Sequence, residues 1–216
     1  MTAITVDEFL ASDDTGDWRA LCGASYVATH FVAPSLATAT AFVVRVSELA
    51  QETPEHFEVH LNARGVTIRL ARRGVGGGEF AEEDVVLARQ ISNVAREMQL
   101  SCDITHVQHT QIALDADDIA AVRPFWQAVL RYESKYDTDL LDPTGEGPTM
   151  WFQKMREPRT ERGRFHVDVY VPREQAAERI AAALAAGGHI VNDSRAPMWW
   201  TLADCEGNEA DIAIWT

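Results

Sequence analysis

The second half of the chain repeats one order of elements, and that repeat limits the possible folds more than any other feature. Residues 106–114 read as a strand and 117–130 as an amphipathic helix. Short strands over 132–142 and 149–155 follow, set around a Pro-Thr-Gly-Glu-Gly-Pro turn. The order then recurs: a strand over 164–171, a helix over 173–186 stopped by Gly187-Gly188, and strands over 189–192, 199–203 and 209–215. Each half is strand, helix, then three strands. Elements recur, while residues do not.

The first part has a different pattern. Thr5 is an N-cap for a short helix through residue 11, with Asp7 and Glu8 in its first turn. Residues 26–32 form a strand, and Pro34-Ser35 opens a helix over 37–51, apolar at Phe42, Val43, Val46, Leu49 and Ala50. Residues 57–62 and 65–70 alternate around Asn62-Ala63-Arg64-Gly65 and predict an antiparallel hairpin. Gly74–Gly78 reads as a flexible loop, lacking the Lys-Ser/Thr of a phosphate cradle. A second long helix covers 79–98. Residues 98–103 have no clear period and predict a linker. With 216 residues, one large domain or two small ones are possible. The change of pattern predicts two, over 1–98 and 105–216, both of α+β class.

Charge and cysteine usage remove other classes. The chain carries 33 Asp+Glu against 19 Lys+Arg, a formal net charge of −14, which argues against a nucleic-acid-coating surface and a polybasic membrane anchor. Cys22, Cys102 and Cys205 are sparse and include no CxxC pair, so reduced thiols in a cytoplasmic protein are expected. None has a neighbouring His or basic cluster that would mark a nucleophile. The start has no basic region followed by an apolar run, and no stretch is apolar enough to span a membrane.

Several motifs carry chemistry. The strand His109-Thr110-Gln111-Ile112-Ala113-Leu114-Asp115 precedes Phe125-Trp126-Gln127 on a helix, where Trp126 suits a core position. Arg164-Phe165-His166-Val167-Asp168-Val169 opens the second module, and Asp204-Cys205-Glu206-Gly207-Asn208 separates the last two strands, with Asp211 beyond. Over 105–216 these motifs resemble the glyoxalase/bleomycin-resistance/extradiol-dioxygenase (vicinal oxygen chelate) superfamily. The resemblance implies paired βαβββ modules curled into an open cup that holds a divalent metal: Zn, Ni, Fe, Mn or Mg. The implied ligands are His109, Gln153, His166 and Asp211. Alternation places His109 and Gln111 on one face, and likewise His166 and Asp168. Metal-dependent relatives carry Glu where this chain has Gln153, and an amide cannot take a proton, so Asp211 becomes the expected base.

Over 1–98 the chain resembles pterin-4a-carbinolamine dehydratase. The carrying residues are Phe31, the run from Phe42 to Ala50, Pro54-Glu55, the strand from Val66 to Leu70, and Asp84 to Arg89. The resemblance implies helices packed on one face of a small antiparallel sheet. The family's His-His-Pro reads Glu52-Thr53-Pro54 here, and its further His is replaced by Arg73. Thr and Arg cannot shuttle a proton at neutral pH, so this half is expected to be inactive as a dehydratase. His56 and His60 do not restore the pattern.

The expected function is binding or conversion of a small molecule in the C-terminal cup, by metal-dependent lyase, isomerase or dioxygenase-type chemistry. Trp151, Trp199, Trp200 and Asp168 are candidate substrate contacts; alternation puts one of the adjacent Trp199 and Trp200 rings inside and one outside. The Arg-dense run 156–164 suits either an anion-capturing mouth or a solvated linker. Alternative readings are a metal-free binder of an aromatic or antibiotic-like ligand, a surviving 4a-hydroxytetrahydrobiopterin dehydratase, and an interaction protein whose first half drives self-association. A homodimer is the expected assembly, with neither nucleic acid nor membrane as partner.

Overall fold

The computed structural model describes all residues except 1, 22–24, 51–56, 72–78, 121, 124–126, 128–131, 146, 156–164, 186, 204–208 and 216. Its class is α+β. Contacts divide the chain into a first unit ending at Val107 and a second running from Gln108 to Ile214.

In the first unit, strands β1 (Ala3–Ile4) and β6 (Phe80–Ala81) pair as a short ribbon. Helix α1 (Val6–Ala11) begins at Thr5, whose hydroxyl accepts from Glu8 N–H while the Glu8 carboxylate accepts from Thr5 N–H, a reciprocal capping box. A five-stranded antiparallel sheet runs β2 (Arg19–Leu21), β3 (Tyr26–Val32), β5 (Gly65–Ala71), β4 (Phe57–Asn62), with β7 (Ser101–Cys102) also on β3. Gly65 has φ of +154°, and a Cβ there would lie 2.1 Å from the Phe31 carbonyl oxygen, so the hairpin requires glycine. Helices α2 (Leu36–Leu49) and α3 (Glu82–Glu97) cover one sheet face. Phe42, Val46, Ala88 and Ile91 meet Val27, Phe31, Val66 and Ile68 in one apolar core.

The expected linker behaves differently. Gln99 adopts φ of +57° after α3, Leu100 N–H bonds Ala95 C=O, and Gln99 N–H bonds Arg96 C=O. That Schellman arrangement satisfies the helix end and turns Leu100 into the core. The chain then joins the sheet as β7, and residues Ile104–His106 make a single 3-10 turn. Two residues are too short to show a strand period, so the sequence concealed this pairing.

The second unit contains an eight-stranded sheet that does not close into a barrel. Its spatial order is β13 (His189–Asn192), β14 (Trp199–Ala203), β15 (Glu209–Ala213), β12 (Phe165–Tyr170), β8 (His109–Ala116), β11 (Thr149–Lys154), β10 (Asp139–Leu141), β9 (Glu133–Tyr136). The two modules meet where β8 runs antiparallel to β12. Residues 119, 120, 122, 123 and 127 are helical between β8 and β9. Helix α4 (Arg173–Ala185) occupies the equivalent place in the second module. It ends where Gly187 adopts φ of +95° and Gly188 N–H bonds Ala183 C=O. Both helical segments pack on one sheet face: Ile119 and Val122 against Leu114, Leu140, Met150 and Phe152, and Ala176 and Ile180 against Val171, Leu202 and Ile212. No helix among the described residues is long and apolar enough to cross a membrane.

Candidate functional site

Side chains alternate along each strand, so apolar positions turned to the helices leave the intervening positions on the other, open face. Register then sorts that face into rows. One row reads Thr149, Gln111, Asp168, Asp211, Thr201 across β11, β8, β12, β15 and β14. The next reads Trp151, Ala113, His166, Glu209, Ala203. Beyond it Gln153 pairs with Asp115, and on the opposite side His109 pairs with Tyr170.

His166, Asp168 and Asp211 converge, with one ligand-capable atom from each lying within 4.8 Å of the others. His166 Nε2 is 3.3 Å from Asp168 Oδ1, and Trp151 Nε1–H donates to Asp168 Oδ2 at 2.9 Å. The Trp151 ring stands edge-on to the His166 imidazole, centroids 6.4 Å apart. Burial raises the Asp168 pKa to about 6, helped by the nearby Asp211 and Asp115 charges and opposed by His166 and the Trp151 bond. Burial also raises that of Asp211, against the Thr201 hydroxyl bond and His166. Asp168 Oδ1 and Asp211 Oδ1 are both buried without a hydrogen bond. Two carboxylates crowded together with unbonded oxygens gain from a cation between them, and the imidazole supplies a further donor. The residues therefore fit a divalent metal.

The structure separates other expected site residues. His109 lies against Tyr170, ring centroids 6.3 Å apart, four positions along β8 from Ala113, the partner of His166. Gln153 donates its side-chain N–H to Asp115 Oδ1 at 2.6 Å. Asp168, expected as a substrate contact, sits inside the carboxylate cluster. Trp151 and Trp199 share the open face, and the Arg195 guanidinium lies 5.7 Å over the Trp199 ring. Trp200 pairs with Ile212 and packs toward α4 on the helix-covered face, so the chain's alternation removes it from the cluster. A cavity of about 420 Å³ lies beside it, lined by Ile180, Leu184 and Pro197 among others, and brings none of the cluster residues together. Glu52, Thr53 and Arg73 fall outside the described residues, as do the glycine run, Trp126 and the Arg-dense run. Cys102 contacts the Thr29 hydroxyl and the Asp17 carbonyl, and burial pushes its thiol pKa up, which does not suit a nucleophile.

Register also sets Gln111 opposite Asp168 on the open face, a neighbour that the sequence alone did not single out.

The fold and the polar row define a two-part α+β protein with a glyoxalase-like second unit. Comparison with family models gives the same division: residues 1–94 match pterin 4 alpha carbinolamine dehydratase, and 111–213 match a glyoxalase-like domain. No curated protein matches the chain. Similar solved structures include an NAD-dependent benzaldehyde dehydrogenase from Legionella pneumophila (12% identity, covering 50% of this chain and 99% of that one, TM-score 0.37). Another is a glyoxalase/bleomycin resistance protein/dioxygenase superfamily member from Vibrio splendidus 12B01 (16%, 50% and 99%, 0.33). A third is the fosfomycin resistance protein FosX from Listeria monocytogenes, complexed with Mn(II) and sulfate (14%, 48% and 86%, 0.22).

Proposed function

We propose that the second unit is the working half and binds a small molecule on its open face, over a divalent metal held by His166, Asp168 and Asp211. The observation that carries this reading is the convergence of those three side chains within 4.8 Å, with two carboxylate oxygens left unbonded. A divalent ion at this place supplies electrophilic stabilisation of negative charge developing on a substrate oxygen, as lyase, isomerase or dioxygenase-type reactions require.

The chain's own residues do the rest. Trp151 holds Asp168 by its indole N–H, fixing the carboxylate toward His166. In the metal-free cup burial raises the Asp211 pKa, which suits it to take a proton; with its unbonded Oδ1 on a metal it would serve as a ligand instead. Gln153, a neutral amide, cannot accept a proton as a base. Its bond to Asp115 holds a second carboxylate whose charge raises both cluster pKa values. Trp151 and Trp199 form aromatic walls for a planar substrate. The first unit is read as a scaffold without dehydratase activity, since Glu52, Thr53 and Arg73 stand where the chemistry needs imidazoles. A dimer belongs to the same reading.

Protein purified without chelator is expected to carry or take up one divalent ion per chain, and His166→Ala to lose it. Failure of the wild type to bind any divalent ion, by elemental analysis and titration calorimetry, leaves the metal-free binder as the better reading. Absence of quinonoid pterin formation from a carbinolamine, by wild type and Glu52→Ala alike, is expected for the first unit.

A further inference from the structure

A second polar cluster lies in the first unit, built partly from residues 95–110, which neither family match covers. After β7 pairs with the end of β3, Asp103 N–H bonds the His30 carbonyl. The 3-10 turn over Ile104–His106 then lays the His106 ring on the His30 ring, centroids 4.8 Å apart and planes 21° apart. His106 Nδ1 lies 3.1 Å from Asp103 Oδ2, and His30 Nδ1 lies 2.8 Å from the Thr67 hydroxyl on β5.

His30 is 2% exposed, and its Nε2 is buried without a hydrogen bond. The Gly65 backbone closes off that nitrogen, since a Cβ there would come within 3.0 Å of it. A neutral ring that donates from Nδ1–H to Thr67 carries only a lone pair at Nε2. Protonation adds an N–H there with no acceptor, and a positive charge inside the sheet. Burial first, and then the His106 charge, lower the His30 pKa from its ordinary 6.5, against the pull of the Asp103 carboxylate. The other charged groups of this face answer one another. His60, in the same row beyond Thr67, lies 4.0 Å from the Glu58 carboxylate, and Arg69 lies 3.6 Å from it and over the Tyr26 ring.

We propose that His30 and His106 form a proton-sensitive latch: the neutral stack holds residues 101–106 against β3, and a proton on His30 Nε2 releases them. Lifting His106 away opens one face of the His30 ring to water, where the charge is hydrated. β7 has only two ladder positions, so this segment can open without unfolding the unit. The proton binds the open form more tightly than the closed one. The latch is therefore fully closed above pH 6.5 and weakens as pH falls, by at most about tenfold per pH unit for one proton.

Hydrogen exchange of the full chain from pH 8 to 5, corrected for the intrinsic rate, tests this. Protection of the Asp103 and Val107 amides is expected to fall below pH 6.5, by up to about tenfold per pH unit, while α2 and β5 keep theirs. His30→Phe keeps a flat ring against His106 but cannot titrate, and the pH dependence should vanish. His30→Gln should do the same and serves if His30→Phe does not fold. If neither folds, wild type decides, with the His30 imidazole followed by carbon NMR and expected to titrate in step with the release. The latch is overturned by wild-type protection that ignores pH, by loss of protection in all elements together, or by a folded His30 variant that keeps the wild-type profile. A His30 imidazole that takes its proton while residues 101–107 stay protected overturns it as well.

Discussion

The two units treat their buried carboxylates differently. In the first, Thr15 donates to backbone carbonyls, Thr29 meets the Cys102 thiol, His30 Nδ1 meets the Thr67 hydroxyl, Asp84 accepts from Ala81 N–H, and Ser92 accepts from Trp18 Nε1–H. Each of these five has a hydrogen bond inside the unit, although His30 Nε2 is buried without one. In the second, Asp168 is held by Trp151 with its other oxygen directed at His166, and that oxygen has no hydrogen bond. Asp84 and Asp168 show this most clearly. They are 3% and 6% exposed, so burial does not distinguish them, but their partners do. A backbone N–H at a helix start finishes the work of Asp84. Asp168 faces an imidazole and a second carboxylate, which is an unfinished arrangement.

The largest effect that could break this contrast is on metal affinity. Asp168→Asn is expected to reduce it by more than the roughly 10–100-fold that loss of an outer partner costs. The same variant should change the stability of the metal-free protein with a definite sign. The folded-state pKa of Asp168 is raised from 3.8 to about 6, so the folded state binds the proton more tightly than the unfolded chain does. Metal-free wild type therefore gains stability as pH falls from above 6 toward 4, and loses it again as pH rises through about 6. Denaturant midpoints across that window should show the trend in wild type and a flatter one in Asp168→Asn. Metal affinity runs the other way, falling below about pH 6 as the carboxylate takes a proton. A metal-free wild type whose stability increased as pH rose from 4 to above 6 would contradict the raised pKa.

A smaller effect concerns the partner of Asp168. Trp151→Phe keeps an aromatic wall but removes the indole N–H that lowers the Asp168 pKa. The carboxylate should titrate higher still, and metal affinity at pH 7 should drop by about tenfold. Carboxyl carbon NMR follows the first and calorimetry the second. An unchanged titration would mean that the bond does not hold Asp168.

Most of the fold could be read from the chain because it is written in long periods. The strand over Tyr26–Val32, the hairpin of β4 and β5, the Thr5 cap and the order of the two modules all rest on side-chain alternation or capping chemistry. The strand β7 was hidden because two residues have no period, and Leu100 reaches the core only through the turn at Gln99. The site was legible in part. His166 and Asp211 could be named one by one, but whether two strands bring residues together depends on register, which a single strand does not encode. Register sets His109 opposite Tyr170, away from the partner of His166.

The smallest expected effect tests the other side of the contrast. Asp84→Ala removes the acceptor for Ala81 N–H at the start of α3, where Glu82 and Glu83 keep favourable charge in the first turn. Loss of such a cap costs about 1 kcal/mol, within a range of roughly 0.5–2. Chemical denaturation of the full chain should therefore show a lower midpoint with little change in slope, since no additional surface is exposed. Divalent metal affinity should not change, because Asp84 belongs to the first unit and the proposed ligands to the second. Asp84→Asn keeps an oxygen acceptor and should recover part of the loss. A metal affinity that fell with Asp84→Ala by as much as with Asp168→Asn would mean that burial alone, whatever the partner, governs both carboxylates.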